Sequence, residues 1–263
     1  YSYDMLGEAA RTEADAQRYL AAYRAAILAA GKAAKGADIR ANPGVSVKLS
    51  ALFPRYEWAQ RKRVMAVLGP RLLELATLAA QAGIGLNIDA EEADRLELSL
   101  DLIEAVLPDP GLAGWDGFGV VVQAYGKRAM HVINWLYGLA ARHERRIMLR
   151  LVKGAYWDTE IKRAQAMGLP GFPVFTRKAH TDISYLACAR QLMALRDRIY
   201  PQFATHNAHT LAAILFMAGA ERDNFEVQRL HGMGDRVHDI LVQRERLHCR
   251  IYAPVGEHRD LLA

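Results

Sequence analysis

The 263-residue sequence predicts a (β/α) barrel, and three observations carry that expectation. From residue 44 onward, short apolar runs of β type alternate with longer stretches of helical period, the rhythm of right-handed crossovers and a parallel sheet. Several runs are apolar at consecutive positions, as strands covered on both faces are. No G-x-G-x-x-G follows the first run, so an open doubly wound sheet of Rossmann type would lack its phosphate loop.

Seven strands are expected. They are Val45 to Leu49, Ile84 to Ile88, Gly119 to Gln123, Ile147 to Val152, Gln202 to His206, Phe225 to Leu230 and Cys249 to Ala253. Between them, sets such as Leu72-Leu73-Leu75-Leu78, Leu96-Leu98-Leu102-Ile103-Val106 and Ile133-Leu136-Leu139 have helical spacing. The first segment, roughly 7–30, repeats apolar residues at Tyr19, Leu20, Tyr23, Ala26 and Ile27 and reads as an amphipathic helix. The expected organisation is a helix and connection over 1–43 leading into a barrel over 44–263. An eight-stranded barrel needs one unit more than these seven, so the expectation is a distorted (β/α)₈ barrel of the TIM type whose last βα unit is missing from the chain. The first residue is Tyr1, which also suggests a piece of a longer polypeptide.

Bulk properties narrow the class. The chain is 52% hydrophobic and 24% charged, ordinary for a globular protein, with a formal net charge of +5. Basic residues occur only in short runs on helical patterns, Arg61-Lys62-Arg63 and Arg142 to Arg146, so no nucleic-acid contact is expected. Cys188 and Cys249 make no disulfide framework, which fits a reducing compartment. No apolar run approaches the roughly 18 residues of a membrane span, and no signal peptide is visible.

In such a barrel, chemistry sits at the C-terminal ends of the strands. Each expected strand delivers a polar or titratable group at or near that end: Lys48, Asp89, Gln123, Arg150 with Lys153, His206, His231 and Tyr252. Any one of them is more often a solvated edge or a satisfied structural residue; the set is what points to a site. Arg150 and Lys153 beside Gly154 and Ala155 suit a pyrophosphate or an electron-rich ring, with a salt-bridged strand end as the bland alternative. Ala155-Tyr156-Trp157 could wall a planar cofactor or simply pack a helix start. His206, His209 and His231 with Asp89 allow a metal-dependent hydrolase, Lys153 allows a Schiff-base lysine, and a non-catalytic docking barrel is the reading from another class.

Longer motifs point further. Asn87-Ile88-Asp89-Ala90-Glu91-Glu92, Arg150-Leu151-Val152-Lys153-Gly154-Ala155-Tyr156-Trp157, Phe203-Ala204-Thr205-His206-Asn207, Leu230-His231-Gly232-Met233-Gly234 and Tyr252-Ala253-Pro254-Val255-Gly256 run in order along the chain, preceded by Tyr3-Asp4-Met5-Leu6-Gly7-Glu8-Ala9. Together they resemble the motifs of proline dehydrogenases, above all the proline dehydrogenase domain of bifunctional bacterial proline utilization A proteins.

The resemblance implies FAD on the C-terminal face of the barrel, oxidation of L-proline to Δ1-pyrroline-5-carboxylate, and electrons passed to a membrane quinone. Lys48 would hold the substrate carboxylate, Asp89 would organise the charges beside it, Tyr252 would pack on the ring, and Leu230 would shape the pocket. Arg150 would lie near flavin N5. Gln123, Lys153, Gly154, Ala155, Trp157, Thr176, Thr205 and His206 would line the FAD. Asp89, Arg150 and Tyr252 are the residues expected to act in catalysis, and no metal is expected. The resemblance also implies an aldehyde dehydrogenase domain in the same parent chain and a cytoplasmic location, peripheral to the inner membrane face. A final helix with two arginines that grip the carboxylate would begin after Ala263, with Glu8 as partner of one of them, so residues 1–263 alone are expected to bind proline poorly.

Overall fold

The structure, a computed structural model, describes residues 1–256. Among these residues are eight strands: β1 (Ser2–Met5), β2 (Gly44–Val47), β3 (Gly85–Ile88), β4 (Phe118–Gln123), β5 (Ile147–Val152), β6 (Ile199–Ala204), β7 (Glu226–Leu230) and β8 (Cys249–Val255). They hydrogen-bond in sequence order into a closed barrel, β1 pairing in parallel with both β2 and β8. The helices are α1 (Glu13–Gly31), α2 (Arg61–Gln81), α3 (Leu96–Val106), α4 (Ala129–Arg142), α5 (Trp157–Ala166), α6 (Lys178–Ala194), α7 (Ala208–Ala218) and α8 (Asp235–Glu245).

The barrel expectation holds, but the strand count is corrected. The eighth strand is not missing beyond the C-terminus; Ser2–Met5 supplies it from within the stretch read as a lead-in. Its inward residues are Ser2 and Asp4, both buried, so the strand has no apolar run to announce it. Pairing on both sides holds it in place.

The chain divides into two compact units. The first holds Tyr1–Asp89, Asp94–Val120 and the chain from Tyr252; the second holds Ala90–Ala93 and Val121–Ile251. In the first, α1 begins at a capping box in which Thr12 and Asp15 satisfy each other's backbone N–H. It buries Ala16, Leu20, Tyr23, Ile27 and Ala30, spaced by three and four. The Tyr23 hydroxyl then accepts the backbone N–H of Lys48 at 3.1 Å, which ties this helix to the end of β2. Trp58–Gln81, the segment that includes α2, is long and apolar enough to cross a membrane, contrary to the sequence expectation. Its buried row Val64, Leu68, Leu72, Leu75, Ala76 and Ala79 belongs to the core, where α2 packs on α1 and α3.

In the second unit, β5 and β6 run side by side with Leu149 opposite Pro201 and Arg150 opposite Gln202. Alternation turns Leu149, Leu151 and Phe203 into the apolar layer, where Phe203 meets Phe225 edge-on at 5.8 Å. Arg150 and Gln202 take the other face of their strands and are buried all the same.

Candidate functional site

The first unit brings four polar side chains together. Asp4 projects from β1, Lys48 and Asp89 follow directly on β2 and β3, and Tyr252 stands in β8. Lys48 Nζ lies 2.8 Å from Asp4 Oδ1 and 3.5 Å from Asp89 Oδ2, and the Tyr252 hydroxyl donates to Asp89 Oδ2 at 3.0 Å. All three charged side chains are at most 15% exposed, so water screens their interaction weakly. Burial alone would lower the Lys48 pKa; the Asp89 and Asp4 carboxylates reverse this and raise it. Asp4 goes up as well, through burial first and the neighbouring Asp89 second, with Lys48 and Tyr252 pulling the other way. A single ammonium thus stands between two carboxylates whose mutual repulsion it relieves. Glu8 adds a further negative charge near Lys48.

Of this group, Lys48, Asp89 and Tyr252 were expected and Asp4 was missed. Its signal was present in the Tyr3-Asp4-Met5 motif, but without a strand there was no reason to aim it inward.

The second unit carries the rest. Gln123, at the end of β4, donates through Nε2 to the Glu91 carbonyl at 2.9 Å, and its Oε1 accepts the Ala155 N–H at 3.0 Å. This fixes the turn after β5, where Gly154 has φ +151°. A Cβ at Gly154 would lie 2.4 Å from the Tyr125 ring. Gly154→Ala is therefore expected to cost about 1–3 kcal/mol, measured by denaturant unfolding against the wild-type protein.

Lys153 forms an ion pair with Asp182, which also accepts from Lys178 at 2.6 Å. Hydrogen bonds from Lys153 and then Lys178 hold the Asp182 carboxyl below its usual range. An ammonium so paired is poorly placed to become a Schiff-base nucleophile. Trp157 is 43% exposed, with its indole N–H given to the Phe175 carbonyl at 3.0 Å, which fixes the ring. Ala155 and Thr176 are exposed, and Thr205 is buried with its hydroxyl oxygen accepting the Asn207 N–H at 3.2 Å. Arg150 is 3% exposed inside β5 and gives its Nε–H to Gln228 Oε1 at 2.7 Å. Gln228 was not foreseen.

His206 Nε2 accepts the backbone N–H of Leu230 at 2.9 Å, so the ring carries its proton on Nδ1. Burial, and then His238 and Arg229 nearby, keep its pKa below the usual histidine value. The lone pair that a metal would need is thereby occupied. Among the described residues, no three His, Cys, Asp or Glu side chains are grouped to hold a metal ion, and His209 and His231 are exposed. The hydrolase built on Asp89, His206 and His231 is accordingly not supported. Leu230 is 41% exposed. The arginine-bearing helix expected after Ala263 lies outside the described residues, as does the barrel expectation over 257–263.

The residue types expected to line FAD suit it in kind. Two cations, an amide, two hydroxyls and a flat indole match a molecule with a pyrophosphate and an electron-accepting ring.

Comparison with known proteins identifies the family. The family model for proline dehydrogenase matches residues 1–263. The bifunctional protein PutA of Klebsiella aerogenes is 60% identical over all of the chain, which spans 21% of that relative. The crystal structure of a variant of Bradyrhizobium japonicum proline utilization A superposes with a TM-score of 0.97 at 59% identity, covering 100% of the chain and 27% of that structure. Proline utilization A from Bdellovibrio bacteriovorus, inactivated by N-propargylglycine, superposes at 0.93 with 31% identity, covering 99% of the chain and 28% of that structure. With its whole length matched by the family model and its fold shared with these structures, the chain belongs to the proline dehydrogenase family.

Proposed function

We propose that this chain oxidises L-proline to Δ1-pyrroline-5-carboxylate with FAD as the immediate electron acceptor and a quinone as the final one. The observation that carries the reading is the Lys48, Asp4, Asp89 and Tyr252 cluster in a chain of this family. Proline is a small zwitterion with an apolar ring, so it needs a cation for its carboxylate and a wall for its methylenes. Lys48 supplies the cation. Asp89 and Asp4 hold Lys48 charged and aimed, and Tyr252 presents its ring while its hydroxyl locks Asp89. Leu230, an exposed apolar side chain, is a further residue assigned to substrate binding.

FAD, when bound, supplies the two-electron acceptor: a hydride equivalent leaves the carbon next to nitrogen, the nitrogen gives up a proton, and a C=N bond remains. Arg150 sets positive charge where the reduced ring becomes electron-rich. Lys153, Thr176, Thr205, His206 and Trp157 hold the cofactor together with the Gly154-Ala155 turn and Gln123. Neutral His206 offers an Nδ1–H donor, fixed by the Leu230 N–H on its other nitrogen.

The chain spans about a fifth of relatives named bifunctional. A second, aldehyde-oxidising activity in the parent protein fits that name, because Δ1-pyrroline-5-carboxylate hydrolyses to an aldehyde. Action at the cytoplasmic face of a membrane fits a quinone acceptor.

The test is product analysis. The full-length natural protein with FAD, given L-proline and a soluble quinone, should yield one product two hydrogens lighter than proline for each quinone reduced, read by mass spectrometry. No such product over a quinone blank would overturn the reading. N-propargylglycine, which inactivates the Bdellovibrio bacteriovorus relative, should inactivate this protein as well, read as loss of product formation. Tyr252→Phe, which keeps the ring and loses the donor to Asp89, is expected to raise KM for proline about 3- to 10-fold, with FAD content unchanged.

A further inference from the structure

The lumen of a (β/α)₈ barrel is ordinarily filled by layers in which branched apolar residues predominate. In the second unit the corresponding residues of β5 to β8 include Arg150, Gln202, Glu226, Gln228 and Arg250, each 5% exposed or less. Strand register sets Arg150 opposite Gln202 and Gln202 opposite Glu226.

Glu226 is the hub. Its carboxylate accepts Arg250 Nε at 2.7 Å and a terminal guanidinium N–H of the same residue at 3.0 Å, Gln202 Nε2 at 2.9 Å and Gln228 Nε2 at 2.6 Å. His248 Nδ1 lies 3.0 Å away and the Tyr200 hydroxyl 3.5 Å. Burial by itself would raise this carboxyl's pKa; the Arg250 guanidinium, with hydrogen bonds from His248 and Arg250, overrides it and brings the value down to about 2. Glu226 is therefore ionised at any working pH, and an ionised carboxylate can only accept. The Gln228 amide must then turn its NH₂ toward Glu226, which leaves its oxygen facing Arg150, whose Nε–H it receives at 2.7 Å.

We propose that Glu226 and Gln228 form a positioning relay that aims the Arg150 guanidinium at the flavin. This rests on the reading that Arg150 lies beside the flavin ring. The order of the relay has a physical purpose. Gln228, a neutral amide, accepts from Arg150 and donates to Glu226, so it passes on direction without adding a charge of its own. Holding a long side chain in one rotamer in advance also avoids an ordering cost when the cofactor ring is reduced.

The test measures flavin midpoint potential and FAD content in the full-length FAD-loaded protein and in its Arg150→Met, Gln228→Leu and double variants. Gln228→Leu should retain FAD and shift the potential in the same direction as Arg150→Met. The expected shift is about a tenfold loss in the equilibrium constant for flavin reduction, or about 30 mV for a two-electron couple. In the Arg150→Met background it should add nothing. A wild-type potential in Gln228→Leu beside a lowered one in Arg150→Met would overturn the relay and leave the reading of Arg150 standing. Unchanged potentials in both would overturn that reading, and the relay with it.

Should Gln228→Leu fail to fold, the isosteric Gln228→Glu decides. Protonated, the new acid can donate to Glu226 and accept from Arg150, so its gap from the wild-type potential should close as pH falls. A gap that stays constant with pH would contradict the relay.

Discussion

Lys48→Met is expected to lower kcat/KM for proline by about 100-fold, near 3 kcal/mol of lost stabilisation, with FAD content unchanged. The loss should fall mainly on KM, because a cation that holds the substrate carboxylate serves the bound substrate and the transition state alike. Two effects add. The carboxylate loses its charged partner, and Asp4 and Asp89 lose the ammonium that separates them. Both carboxyls then face each other at low exposure, and one takes up a proton rather than remain ionised beside its neighbour. The substrate meets a site of the wrong charge balance as well as one lacking a donor. Steady-state kinetics with a soluble quinone, alongside the flavin absorbance of each preparation, check this. A kcat/KM within threefold of wild type would remove Lys48 from substrate binding.

The second large effect is on stability. Glu226→Leu takes from Arg250, a guanidinium 5% exposed, the carboxylate that overcomes burial and raises its pKa. Removing one partner of a buried pair costs about 3–5 kcal/mol, or roughly 10 °C in Tm for a domain of this size. The same carboxylate has a pH signature. Its value falls from 4.5 to about 2 on folding, so its contribution is complete above pH 4.5 and is lost as pH falls through about 2. About 3 kcal/mol should disappear across that window. Glu226→Gln lacks the titrating group, so the difference in unfolding free energy between wild type and variant should narrow by that amount from pH 5 to pH 2. Other carboxyls cancel in the difference. A constant difference over the window would mean that Glu226 is not the ionised hub described above.

The strands were legible where burial on both faces forced consecutive apolar residues, as in Ile147–Val152, which was read at its observed limits. They were illegible where the inward face is polar. Ser2–Met5 buries a serine and an aspartate and offers four residues in all, so nothing in its composition separates it from a loop. The sixth strand was read three residues late because Pro201 interrupts it; a proline in a run argues against a central strand, yet here Ile199 to Ala204 pairs with the strand before it.

The site divides the same way. Lys48, Asp89, Gln123 and Tyr252 were visible because a charged or polar group closing an apolar strand is conspicuous. Asp4 went with its unseen strand. Gln228 and Glu226 alternate with Val227 in plain view, and strict alternation was the available signal. It was passed over because polar residues every second position ordinarily mark the solvent face of a sheet, whereas here they line a buried one. Arg150 was recognised as a cation, but which oxygen aims it is a matter of contact across 78 residues of chain, which no local pattern encodes.

The most direct measurement is the visible spectrum of the full-length FAD-loaded protein before and after L-proline is added without oxygen. Oxidised flavin bands are expected that bleach on addition of proline and return when a quinone is supplied. A protein that stays colourless after FAD is offered, or flavin bands that proline leaves unchanged, would contradict the proposed function.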